Sequence, residues 1–171
     1  MKKITLLLLG IAGIGLVVGI AKAATYQSDP GACGATTWLN CSNAFLSDDV
    51  WAEGVAPATG IWKNYDFGLP ASFSTPTVEV GVEAHQKKVG ARCTTINMNI
   101  AVSRNGGQSF GPNHQLSFNC SDTLTWVDVT SDFGSGSWTF SQLSSNSFQV
   151  RADCVLGGTC ELDWLPVRVT I

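Results

Sequence analysis

Thr77-Val78-Glu79-Val80-Gly81-Val82-Glu83-Ala84-His85-Gln86 is the stretch that decides the fold class. Val78, Val80, Val82 and Ala84 fall on one side of an extended chain, and Glu79, Glu83 and His85 on the other. A period of two is the mark of a strand with one buried face. Residues 94–104 repeat it, with Ile96, Met98, Ile100 and Val102 set against Thr95, Asn97 and Asn99. Asn105-Gly106-Gly107 then supplies residues that accept positive φ and predicts a tight reversal. Further on, Leu116 and Phe118 alternate with Ser117 and Asn119. Leu124 and Trp126 alternate with Thr125 and Val127, which reads Trp126 as core. Phe148, Val150, Ala152 and Cys154 alternate with Gln149, Arg151 and Asp153. Residues 162–171 form the last expected strand, with Trp164 as core, and Pro166 there requires an edge position or a bulge. Toward the N-terminus, strands are expected at 50–53 and 61–67, and single helical turns at 43–46 and, later, 141–143. About eight strands with turn signals between them predict an all-β protein: a two-sheet antiparallel β-sandwich of jelly-roll type.

The first 23 residues read differently. Lys2 and Lys3 precede an uncharged apolar run at 4–20, and Ala21-Lys22-Ala23 is a small-x-small cleavage site. This predicts a cleavable secretory signal helix, cut before Ala24. An uncleaved anchor and a pilin-type leader cut after the lysines are the competing readings, since the run sits at the short limit of a membrane span. The remaining 24–171 is expected to be one β-sandwich domain with an extended N-terminal segment at 24–37, without repeats or linkers. Charged residues make up 13% of the chain, well below the roughly 25% of an average soluble protein. All 13 acidic residues but only seven of the ten basic ones lie beyond residue 23, a net charge of about −6. That balance argues against nucleic acid and anionic membrane surfaces as partners.

Export gives the six cysteines their meaning. An even number outside the cell reads as three disulfides. Spacing favours Cys33–Cys41 and Cys154–Cys160 as local pairs, leaving Cys93 with Cys120 across a loop of 27 residues. A thiol zinc site is not supported, because neither a CxxC nor a paired-His spacing is present. Asn40-Cys41-Ser42 and Asn119-Cys120-Ser121 fit the N-glycosylation acceptor pattern, with Asn40 and Asn119 as the acceptors. Chance explains such matches equally well in a Ser- and Asn-rich chain, and a bridged Cys in the middle position hinders modification.

Several segments taken in order carry a resemblance: Trp38-Leu39-Asn40-Cys41-Ser42-Asn43-Ala44-Phe45-Leu46-Ser47-Asp48-Asp49-Val50-Trp51-Ala52, Tyr65-Asp66-Phe67-Gly68-Leu69-Pro70 and Val78-Glu79-Val80-Gly81-Val82-Glu83. Ser103-Arg104-Asn105-Gly106-Gly107-Gln108-Ser109-Phe110, Phe148-Gln149-Val150-Arg151 and Leu162-Asp163-Trp164-Leu165-Pro166-Val167-Arg168-Val169 follow. This order resembles a broad group of secreted prokaryotic and viral surface β-sandwich proteins that end in an Asp-Trp-Val-x-Val-type strand. The resemblance implies a sandwich fold and placement at the cell surface or in the extracellular medium, and it implies no reaction. The chain departs from the group pattern in its three expected disulfides and in Pro166.

Candidate chemistry is sparse. His85, on the solvent side of its strand, and His114, in a loop near Pro112, read as ordinary surface histidines, and no nucleophile elbow accompanies them. Thirteen acids offer many carboxylate pairs for glycoside hydrolysis, but nothing singles one out. Asp48, Asp49, Asn43 and Asp163 are the candidate ligands for a structural calcium ion, which wants six to eight oxygens. The competing reading is that they cap a turn ahead of Val50. Tyr26, Trp38, Trp51, Trp62 and Trp138 are candidate ligand or assembly aromatics near strand ends, set against core filling as the default.

The reading that results is a non-enzymatic extracellular structural protein with no cofactor beyond that calcium. It is expected to be the subunit of a filament, pilus-like fibre or coat, partnered by itself or by other surface proteins. Residues 24–37 are the candidate donor strand for a neighbour's sheet. The alternative is a lectin-like carbohydrate-binding module whose exposed aromatics stack on glycans.

Overall fold

The computed structural model describes residues 23–90, 92–134, 138–144 and 146–171. The expected signal helix therefore lies, apart from Ala23, outside the described residues. Eleven strands follow one another: β1 (Thr25–Ser28), β2 (Ala32–Thr36), β3 (Ala52–Val55), β4 (Ala58–Lys63), β5 (Thr77–Gln86), β6 (Ile96–Ser103), β7 (His114–Phe118), β8 (Thr123–Asp128), β9 (Gln149–Leu156), β10 (Thr159–Trp164) and β11 (Val167–Thr170). A single 3₁₀ turn, Cys41–Ala44, precedes β3. The segment at 141–143 closes through a Leu143 N–H to Thr139 carbonyl bond without becoming a helix.

The strands form two antiparallel sheets. In the five-stranded sheet the order is β2-β4-β9-β6-β7. In the six-stranded sheet β5 is central, with β8 on one side and β10 and β11 end to end on the other. Beyond these lie β3 beside β10 and β1 beside β11. The alternation read from the sequence sets the inner faces. Val78, Val80, Val82 and Ala84 of β5 face Ile96, Met98, Ile100 and Val102 of β6 and Val150, Ala152 and Cys154 of β9 across one buried core.

Eleven strands stand where about eight were expected, for two physical reasons. First, the last expected strand breaks. Asp163 is an extra residue between Leu162, paired with Ala84, and Trp164, paired with Glu83. Pro166 then separates β10 from β11, its carbonyl accepting the Gly81 N–H at 2.8 Å. A proline inside a sheet is tolerated at such a bulge because no ladder hydrogen bond is asked of it. Second, residues 24–37 are not a free arm. β1 pairs with β11 and β2 with β4, and Cys33 is bonded to Cys41. Both strands of the segment expected to donate to a neighbour's sheet are paired within the chain.

β8 turns its other face inward from the one the sequence pattern predicts. Its register sets Val127 against Val80 on the inner face and Trp126 against Gly81 on the outer one, one residue out of phase with the sequence reading. Trp126 is half-buried, and the Arg168 guanidinium lies 4.0 Å from its ring centroid. Trp164 is likewise half-buried, and its Nε1 donates to Asp29 Oδ1 at 2.8 Å. The lack of a side chain at Gly81 makes room for these neighbours. A Cβ there would lie 2.8 Å from Pro166 Cγ and 3.1 Å from the Trp126 ring. Gly81→Val is therefore expected to cost about 1–3 kcal/mol through overpacking, read as a lowered urea midpoint at unchanged m-value. An unchanged midpoint would show that Pro166 and Trp126 yield freely.

Candidate functional site

The loop 45–51 folds over the outer face of the six-stranded sheet, and it is tied down at both ends. Phe45 bridges to Trp164. At the far end the Asn43 side-chain amide donates to the Trp51 carbonyl at 3.0 Å, and the Trp51 ring meets His85 edge-on at 5.1 Å. Between these ties, the backbone N–H groups of Asp48 and Val50 donate to Asp163 Oδ1 at 3.4 and 3.2 Å. The bulge in β10 is what presents Asp163 to them. The residue is 1% exposed, and its other oxygen, Oδ2, is buried without a hydrogen-bond partner.

Asp49 and Asp122 join Asp163, so that one carboxylate oxygen from each lies within 4.8 Å of the others. These three acidic residues are arranged so that they could coordinate a metal ion. Glu83, on the neighbouring strand β5, lies outside this set of three, and its Oε2 is buried and unpartnered. Burial raises its pKa, and Asp122, Asp163 and Asp49 push the same way against a hydrogen bond from Ser47. Burial likewise raises the pKa of Asp163, opposed by the backbone N–H groups of Asp48, Asp49 and Val50, while Asp122 adds to the rise. Desolvation and like charge both disfavour the ionised carboxylate.

Of the four expected ligands, the structure brings Asp49 and Asp163 together and separates the other two. Asp48 caps its own turn, its Oδ1 accepting the Val50 N–H at 3.2 Å, and Asn43 is held by Trp51. Asp48 thus takes the turn-capping role that stood as the other reading of these residues. The third member, Asp122, is not singled out by the sequence. Asp122 lies 73 positions from Asp49, and only the β5–β8 register places its turn over the cluster.

His85 does lie on the outer face, but it is no ordinary surface residue. Its side chain is 12% exposed, Nε2 sits 2.8 Å from Glu161, and Nδ1 lies 3.8 Å from Asp122. Lys87 completes the group at 2.6 Å from Glu53 and 3.7 Å from Glu161. His114 begins β7 rather than lying in a loop, and its Nε2 contacts Asp132 at 2.8 Å.

The candidate aromatics follow core filling, the default expected for them, rather than standing as exposed rings. Trp38 and Trp62 meet edge-on in the core at 5.7 Å, and Trp138 packs against Phe133 and Phe148. Tyr26 is half-buried against the core, and Trp51 is half-buried over His85. None of the five is an exposed platform. Asn40 and Asn119 are exposed, and the cysteine following each is disulfide-bonded. The three disulfides are the pairs that spacing favoured.

The outer face of the five-stranded sheet is polar and rich in amides. Thr59, Asp153, Asn99 and Gln115 lie in one cross-strand row, and Ile61, Arg151 and Ala101 in the next. Arg151 reaches Asp153 at 3.1 Å and Asn113 at 2.7 Å, and its guanidinium lies 4.8 Å from the Phe110 ring centroid. Asp153 Oδ1 is buried without a partner. A separate cleft of about 280 Å³ is lined by Tyr65, Phe67, Leu69, Phe140 and Leu143, among others.

No known family model matches the chain, and no curated protein matches it. Among solved structures it is similar to a family 11 carbohydrate-binding module from Clostridium thermocellum in complex with a β-1,3-1,4-mixed-linked tetrasaccharide. That pair is 12% identical, covers 88% of this chain and 91% of the other, and has a TM-score of 0.35. It is also similar to TmCBM61 in complex with β-1,4-galactotriose, 13% identical, over 86% and 88% of the two chains, with a TM-score of 0.33.

Proposed function

We propose that this chain is an extracellular, non-catalytic carbohydrate-binding β-sandwich whose ligand face is the outer surface of the five-stranded sheet. The observation that carries this reading is Asp153. Its Oδ1 is buried and unpartnered in the middle of a row of hydroxyl and amide side chains, with the Arg151 guanidinium alongside. Sugars present adjacent hydroxyls that both donate and accept. Carboxylate, guanidinium and amide planes answer them with paired acceptors and donors. Phe110, at the rim, supplies the flat apolar surface that a pyranose ring covers well. The sequence alternative of exposed tryptophans is thus replaced by a polar sheet face with one flanking phenylalanine.

Affinity electrophoresis through gels containing a panel of soluble polysaccharides tests the proposal. Retardation in at least one gel is expected. Asp153→Ala or Arg151→Ala should weaken it by about 10- to 100-fold, the loss of a hydrogen bond to a charged group. Unretarded migration through every polysaccharide would refute the reading.

A further inference from the structure

The loop 104–113, between β6 and β7, carries the two residues that flank the polar face. Phe110 lies under the Arg151 guanidinium, and Asn113 Oδ1 accepts from Arg151 Nη2 at 2.7 Å. The first half of the loop braces itself. Asn105 Oδ1 accepts from Ser103 Oγ and from the Ser109 N–H, and the Gly106 N–H donates to the Ser147 carbonyl at 2.9 Å. From Gly111 onward the loop leans instead on the segment 129–134, which leaves β8 on the other sheet. A Cβ at Gly111 would lie 3.3 Å from Asp132 Cβ and 3.4 Å from the Phe133 ring. Arg104 stands 4.5 Å from the Phe133 ring centroid. The polar tie is His114, the first residue of β7, whose Nε2 lies 2.8 and 3.0 Å from the two oxygens of Asp132. The Asp132 side chain is 4% exposed, and among the described residues no other group donates to it.

We propose that His114 and Asp132 form a latch that positions the loop 104–113, and with it Phe110 and Asn113, over the polar face, so that ligand affinity follows the charge of His114. The inference rests on the glycan reading above. Both are positioning residues: His114 pairs with the core residue Ile100 on the inner side of its sheet, away from the ligand face. A carboxylate this deeply buried is costly to keep ionised unless its partner carries charge. Burial pushes the Asp132 pKa up, the His114 hydrogen bond and charge oppose the rise, and Asp128 adds to it. The charged groups around the pair are Asp132 and Asp128 from the β8 side, Arg104 over Phe133, and Arg151 beyond Asn113. Histidine changes charge between about pH 5 and 8. Imidazolium gives Asp132 a charge-assisted bond, roughly twice as strong as the neutral one left when the proton goes. The latch holds at the acidic end of that range and loosens as pH rises.

Two measurements on the oxidised protein test this. The polysaccharide that retards the parent should bind about fivefold tighter at about pH 5.5 than at about pH 8. His114→Gln keeps a neutral donor, so it should bind at the parent's high-pH level throughout, and His114→Ala more weakly still. His85→Gln, on the opposite sheet, should keep the parent's profile. Hydrogen exchange needs no ligand. At about pH 5.5 the backbone amides of 110–114 should exchange about tenfold faster in His114→Ala than in the parent, with His114→Gln between them. Equal exchange in the parent and His114→Ala would overturn the latch, as would a pH profile that His114→Gln retains. If no polysaccharide retards the parent, the glycan reading fails by itself, and the exchange rates still decide the latch.

Discussion

Trp62→Ala is expected to lower the unfolding free energy by about 3–5 kcal/mol, a large part of the roughly 5–15 kcal/mol typical of a domain. The ring is fully buried, meets Trp38 edge-on at 5.7 Å, and donates from Nε1 to the Cys41 carbonyl at 3.0 Å. Gly60 is shaped around both rings, since a Cβ there would lie 2.7 Å from Trp62 and 2.8 Å from Trp38. Alanine would leave a cavity beneath two sheets and an unpaired carbonyl, which neighbours in strands cannot collapse to fill. Urea unfolding of the oxidised protein measures this. A loss below about 1 kcal/mol would mean the ring is not packed as described.

Removing Cys93 and Cys120 together should cost about 3.5 kcal/mol, because their bridge closes a loop of 27 residues. Cys93 is exposed and Cys120 only half-buried, so little packing is lost and the effect acts through the unfolded chain. Around them Gln86 already ties the turns together. It donates to Thr94 Oγ1 and the Gly157 carbonyl, accepts the Thr94 N–H, and its own N–H reaches the Asn119 carbonyl. The native geometry should survive the change. Loops of 8 and 6 residues, closed by Cys33–Cys41 and Cys154–Cys160, predict smaller losses of about 2–2.5 kcal/mol each. Calorimetry of the three double variants gives the order. An unchanged midpoint for the Cys93/Cys120 pair would refute the entropic account.

Where a strand buries one face, the sequence announced it: β5, β6 and β9 carry valine, isoleucine and alanine at every second position, and their limits shifted by at most two residues. β1 and β2 were not legible, because Thr25-Tyr26-Gln27-Ser28 and Ala32-Cys33-Gly34-Ala35-Thr36 lack alternating large apolar residues. Such edge strands are held by partner backbones rather than by their own burial. β8 was legible as a strand but not in phase, since Leu124 and Trp126 are large enough to pass for core. Only the presence of Gly81 and Arg168 opposite shows that the ring lies outside. The acidic centre was half legible. Asp48-Asp49 and Asp163 stand out beside a turn and a tryptophan, whereas Asp122 is an ordinary acid until strand pairing brings it near. The polar face around Asp153 shares its strand with core residues, and nothing in a period of two separates a ligand face from a merely wet one.

The pairing of β1 with β11 has a mechanical consequence. Ala24 and Ile171 exchange hydrogen bonds at 2.8 and 2.9 Å, in an antiparallel pair. A pull applied through these two residues would therefore load the rungs one at a time, as in a zipper, instead of shearing them together. Peeling would begin at low force and run through the four residues of β1. It would then meet Cys33, covalently joined to Cys41 beneath the Trp62 core. The β1–β11 pair is built to yield a short length of chain softly and to stiffen at the first disulfide.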